Sequence, residues 1–109
     1  MTRLMEDSRE LALSHELIDR HATLVFHDVP KSRVTLVGKR SNHGVELEFP
    51  DFDYLGVWTA STEAPFVAVE PWHGCASAYD ESGRFEDKRS TITLAPGERA
   101  ELAFTVTPF

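Results

Sequence analysis

Hydrophobic and polar positions alternate with a period of two along much of the chain. Val45, Leu47 and Phe49 are separated by Glu46 and Glu48, which predicts a strand with one apolar and one wet face. Ala100, Leu102, Phe104 and Val106 alternate with Glu101, Ala103 and Thr105, so a final strand is expected over 100–106. Val34 and Leu36 with their β-branched neighbours predict another strand, as does Leu24-Val25-Phe26. Two runs break the alternation. Leu55-Gly56-Val57-Trp58 and Pro65-Phe66-Val67-Ala68-Val69 are apolar on both faces, a pattern that fits central strands covered on both sides. Turn signals separate these runs at Val29-Pro30-Lys31-Ser32, Ser41-Asn42-His43-Gly44, Ser82-Gly83 and Pro96-Gly97.

The beginning of the chain reads differently. Leu11, Leu13, Leu17 and Ile18 fall at mixed spacing, and Ser14 ahead of Glu16 and Leu17 predicts a capped helix of one or two turns near 14–20. Residues 1–10 are expected to be flexible. Seven short strands without a long helix define an all-β class, an antiparallel β-sandwich with a short N-terminal helix. At 109 residues the chain has room for a single domain, 1–109, and not for two.

Charge and composition narrow the partners. Hydrophobic residues make up 41% and charged residues 27%, an ordinary globular balance. The formal net charge is −7 and the pI about 5.1, which argues against nucleic acid and anionic membranes as partners, since both select basic patches. A neutral ligand such as a sugar is unaffected by that charge. Cys75 is the single cysteine, so no internal disulfide forms and no zinc-type spacing exists around it. It reads as a small buried hydrophobe in a reducing compartment. No apolar run is long enough for a signal peptide or a membrane span, and a cytoplasmic location is expected.

The densest chemistry lies at the end of the second apolar run, Phe66-Val67-Ala68-Val69-Glu70-Pro71-Trp72-His73-Gly74. Period two places Glu70 on the strand face of Phe66 and Ala68. Pro71 cannot donate to a ladder, so the strand is expected to end or bulge there. Glu70 would then line a partly apolar cleft with Trp72 at its edge. Partial burial of a carboxyl favours its proton-holding form, which suits acid–base work, and an indole face suits the C–H side of a sugar ring. The alternative is a strand-end glutamate paired with backbone, Arg or Lys. Trp58 reads as core, and Lys88 and Arg89 as surface charges or partners of a glutamate.

These residues carry a resemblance. Phe52-Asp53-Tyr54-Leu55-Gly56-Val57-Trp58-Thr59 and Ala64-Pro65-Phe66-Val67-Ala68-Val69-Glu70-Pro71-Trp72-His73-Gly74 resemble the C-terminal signature of aldose 1-epimerase (galactose mutarotase)-type proteins, which runs YLGIW, then APFVCIEPW and a glycine. Leu11 to Phe26 resembles the preceding segment, and Lys88 with Leu94-Ala95-Pro96-Gly97-Glu98 resembles the closing one. The resemblance covers nearly the whole chain from about Leu11. It implies part of a large sugar-binding β-sandwich that interconverts the α and β anomers of a free sugar without metal or cofactor. In that reaction a glutamate takes the proton of the anomeric hydroxyl and a histidine protonates the ring oxygen. Glu70 matches the glutamate, Trp72 and His73 flank it as substrate contacts, and Asp51 lies near the position of a sugar-contacting aspartate.

The departures are as informative. Family members are much longer, and their catalytic histidine, a second histidine and an arginine come from an N-terminal portion outside this sequence. His15, His21, His27 and His43 read as surface residues here, and His73 stands where relatives often carry tyrosine. The chain alone is thus expected to be an incomplete epimerase. The other readings are a sugar-binding or interaction module without turnover, and a split gene product. A homodimer or a separate N-terminal partner chain is expected to cover what the missing strands would cover.

Overall fold

The computed structural model describes residues 9–76 and 79–109. Most of the expected flexible leader, residues 1–8 of 1–10, lies outside the described residues; Arg9 and Glu10 are exposed.

Antiparallel strands dominate, as the alternation requires. Helix α1 (His15–His21) comes first, with Ser14 as its N-cap: the Ser14 hydroxyl accepts the Leu17 N–H at 3.1 Å. Strand β1 (Leu24–His27) follows, then a 3-10 turn at Pro30–Ser32 and strand β2 (Arg33–Val37). Strands β3 (Gly44–Glu48), β4 (Tyr54–Trp58), β5 (Ala68–Trp72) and β6 (Thr105–Pro108) complete the set. They form two three-stranded antiparallel sheets, ordered β1-β4-β5 and β2-β3-β6. The all-β, sandwich-like class read from the sequence is what the chain adopts. Six strands, not seven, lie among the described residues.

Register sorts side chains onto faces. In the first sheet Leu24 pairs with Val57, Phe26 with Leu55, and Val57 with Val69. These residues point inward, and Leu24, Leu55 and Val57 are buried together with Leu47 of the second sheet, Phe49 just after β3 and Ile18 of α1. The outward face of β2-β3-β6 is polar: Arg33 lies 3.5 Å from Glu48 and 3.8 Å from Glu46. Exposed cross-strand ion pairs of this kind contribute only a few tenths of a kcal/mol, up to about 1. The stability of the unit therefore lives in its small apolar core.

Three expectations need correction. Residues 100–104 do not join the final strand, which is limited to Thr105–Pro108. Its partner β3 stops at Glu48 and turns at Pro50-Asp51, so there is no backbone for 100–104 to pair with. The strand expected over 65–69 begins instead at Ala68, because the chain before it closes a loop in which the Thr59 hydroxyl donates to the Phe66 carbonyl at 2.7 Å. That strand does not end at Pro71 but runs through it to Trp72, with Pro71 opposite Leu55. Strand β5 is an edge of its sheet, where a proline costs no neighbour a hydrogen bond. For the same reason β5 is half-buried rather than central. Strand β4 is the central one, as its doubly apolar pattern predicts.

Truncating Leu24→Ala removes the most buried aliphatic side chain of this core. Denaturant unfolding should show a loss of about 2–5 kcal/mol, or no cooperative transition at all. Leu102→Ala, at an exposed position, should change it by less than about 0.5 kcal/mol. Equal effects of the two would rule out this core.

Candidate functional site

Strands β1, β4 and β5 turn their remaining side chains to the other face of the first sheet. Glu70 is opposite Gly56, which is opposite Val25; Trp72 is opposite Tyr54, which is opposite His27; Ala68 is opposite Trp58. Glu70, Trp72, Tyr54, Trp58 and His27 therefore share one face, away from the core. None of these side chains is fully buried.

Glu70 and Trp72 form a unit. The indole Nε1–H of Trp72 donates to Glu70 Oε2 at 3.1 Å. The ring reaches this position by lying across Gly56, where an added Cβ would meet its ring atoms, Cε2 at 2.7 Å among them. Gly56 is thus required by close approach. The bond holds one carboxylate oxygen and the indole plane side by side, so a ligand that stacks on the ring meets the carboxylate at its edge. That geometry suits a molecule with an apolar face and hydroxyls around its rim.

The other expected residues are placed as follows. His73 is half-buried at the bend after β5, next to Gly74 with its positive φ of 109°. Asp51 is exposed in the turn before β4, and its Oδ2 accepts the Ala103 N–H at 2.9 Å. Register brings Asp51, His73 and Trp72 to the same end of the sheet, since Tyr54 and Trp72 are the terminal pair. Of the five histidines, His27 shares the face of Glu70, two strands across; its Nδ1 lies 2.8 Å from Asp28 Oδ2. His15 is tied to the Ala64 carbonyl at 2.7 Å. Arg89 is exposed, pairs with both carboxylate oxygens of Asp80 at 2.7 Å and lies 3.8 Å from Glu81.

Trp58, read as core from its apolar run, instead lies on the Glu70 face, with its ring edge-on to Phe66 at 6.0 Å. Its phase with Tyr54 and Gly56 is the signal that places it there. A separate apolar groove of about 330 Å³ lies between α1 and the 59–67 loop, lined by His15, Ile18 and Phe66 among others; Glu70 and Trp72 are not part of its wall. Among the described residues no group of three or more His, Cys, Asp or Glu side chains is arranged to hold a metal ion. None of their helices is long and apolar enough to cross a membrane.

Fold and site together define an antiparallel β protein with an indole–carboxylate pair on a sheet face turned away from its core. In sequence the chain is similar to the chromosomal protein LacX of Lactococcus lactis subsp. lactis, 32% identical over 106 residues, and to the plasmid form of LacX, 31% identical over 106 residues. Each alignment takes in 97% of this chain and 35% of the relative. The chain thus spans about a third of the length of the curated relatives it matches. No family model matches the sequence, and no solved structure does.

The Gly56–Trp72 contact predicts that Gly56→Ala displaces the indole and breaks its bond to Glu70. Tryptophan emission and near-ultraviolet dichroism should both change. In a Trp72→Phe background the same substitution should leave the remaining Trp58 signal alone. A shift of equal size in both backgrounds would mean that the glycine is needed for something else.

Proposed function

We propose that this chain carries the carboxylate half of an aldose 1-epimerase-like sugar site, with Glu70 as the base. The observation that carries the reading is the Trp72–Glu70 hydrogen bond across Gly56, on a face that also presents Tyr54 and Trp58. The resemblance of the Tyr54–Trp58 and Ala64–Gly74 strings to that family supports it, and so does the similarity to LacX over nearly the whole chain. Trp72 offers its ring to the C–H face of a pyranose, while His73 and Asp51 contact hydroxyls from the same end of the sheet. The setting that suits a single free cysteine is the reducing cytoplasm.

The chemistry follows from proton positions. The Glu70 carboxylate takes the proton of the anomeric hydroxyl, whose electrons form the C1 carbonyl. The bond from C1 to the ring oxygen breaks, and an acid protonates that oxygen. Rotation about the C1–C2 bond and reversal of the steps then give the other anomer. Atoms balance without metal or cofactor, because one base and one acid exchange a proton in each direction.

A second reading is a sugar-binding module without turnover. One observation favours it: among the described residues no hydrogen bond joins Glu70 to a histidine, and His27 stands two strands away.

Free galactose or glucose should perturb Trp72 emission, and Glu70→Gln should weaken that response roughly 10- to 100-fold, the value of a hydrogen bond to a charged group. No response to any common hexose would remove the sugar site. In polarimetry on freshly dissolved α-galactose the chain alone should add little to the buffer rate, since a missing general acid costs about 10²–10⁴-fold. Acceleration abolished by Glu70→Gln would show that the acid lies within this chain, with His27→Gln the next substitution to measure.

A further inference from the structure

Residues 59–67 join β4 to β5, a connection longer than the roughly 2–5 residues of most hairpin loops. A short turn fixes the register of the strands it joins, and a loop of this length does not. Strand β5 has β4 as its one neighbour in the sheet and is half-buried along its whole length. The register that turns Glu70 outward therefore depends on where the loop is held.

Two kinds of bond hold it. Inside the hairpin, the Thr59 hydroxyl donates to the Phe66 carbonyl at 2.7 Å, and the Ala64 N–H donates to the Ser61 carbonyl at 3.2 Å. These bonds shape the loop but move with it. From outside the hairpin, His15 Nε2 lies 2.7 Å from the carbonyl of buried Ala64, across 49 positions of sequence. A carbonyl only accepts, so Nε2 carries the proton and donates. Among the described residues this is the one hydrogen bond from 59–67 to anything beyond its own hairpin. Packing does not replace it, because the groove of about 330 Å³ lined by Leu13, Ile18, Leu36 and Phe66 lies between α1 and the loop. A hydrogen bond in such apolar surroundings is stronger than the same bond in water.

His15 is a fixed end for this tie. It opens α1 directly after the N-cap Ser14, and α1 is anchored by the burial of Ile18. From Ala64 the chain reaches Phe66, whose ring meets Trp58 edge-on at 6.0 Å. It then enters β5 at Ala68, opposite Trp58 and two residues before Glu70. We propose that His15 is a positioning residue for the Glu70 face: by holding the Ala64 carbonyl it sets the entry of β5, and with it the Glu70–Trp72 pair. The effect on ligand binding rests on the sugar-site reading above; the effect on Trp72 does not.

The test uses the full chain in a Trp58→Phe background, which leaves Trp72 as the one indole. His15→Leu should shift Trp72 emission and near-ultraviolet dichroism in the absence of sugar. It should also weaken the response to galactose roughly 2- to 10-fold, the value of one neutral hydrogen bond. His15→Gln, whose amide N–H reaches about as far as Nε2, should restore both readouts, and the shorter His15→Asn should not. The melt should stay cooperative in all three, since His15 is exposed and lies outside the core. A purely structural role would lower the melt and leave the Trp72 signature unchanged below it. An unaltered Trp72 signature in His15→Leu would overturn the proposal, as would equal behaviour of His15→Gln and His15→Asn. A chain silent to galactose, in which Trp72 still shifts with His15→Leu and recovers with His15→Gln, would remove the sugar site and leave the role of His15 standing.

Discussion

Burial of Leu55 and Val57 between two neighbouring strands fixes the direction of every other side chain in their sheet. Both residues are on the central strand and point into the core with Leu24. With those positions inward, Tyr54, Gly56 and Trp58 must face outward, and antiparallel pairing carries the same choice across to Ala68, Glu70 and Trp72. A slip of one residue would bury the glutamate and expose the valine beside it. The apolar contacts that stabilise the fold are therefore also the device that presents the carboxylate.

The outward face gains its order from a single missing side chain. Gly56 leaves space that the Trp72 ring occupies, and the ring's N–H then reaches Glu70. A charged oxygen held by a neutral donor keeps its orientation without being cancelled by a counter-ion. A guanidinium in the place of the indole would neutralise the same oxygen and compete with any ligand for it. The result is a flat apolar surface set beside an oriented acceptor.

Much of this was legible in the sequence, where periodicity and turn chemistry agree. Ser14 caps its helix as its spacing implies, the Val45–Phe49 alternation becomes β3 as far as Glu48 with Leu47 and the following Phe49 buried, and the doubly apolar Leu55–Trp58 run is central. What was not legible depends on partners far along the chain. Alternation over 100–106 shows that a strand is favoured, but only the early turn of β3 at Pro50-Asp51 decides that most of it stays unpaired. Pro71 looked like a strand end, because a sequence does not say whether a strand is an edge. At the site, the phase of Glu70 with Ala68 was readable, whereas the contact of Trp72 with Gly56 joins residues on different strands and has no local signature. Trp58 was misread because apolar runs hide their own phase.

Pro71 also bears on how such sheets multiply. It sits in β5, on the far side of the first sheet from β1, and has no N–H to give a newcomer. Any ladder attempted along that edge would lack a donor one residue from the end of the strand. Growth by repeated edge-to-edge addition, the route to filaments, needs two receptive borders on each molecule. Pro71 blunts one such border, while β1, β2 and β6 remain the other edges of the two sheets.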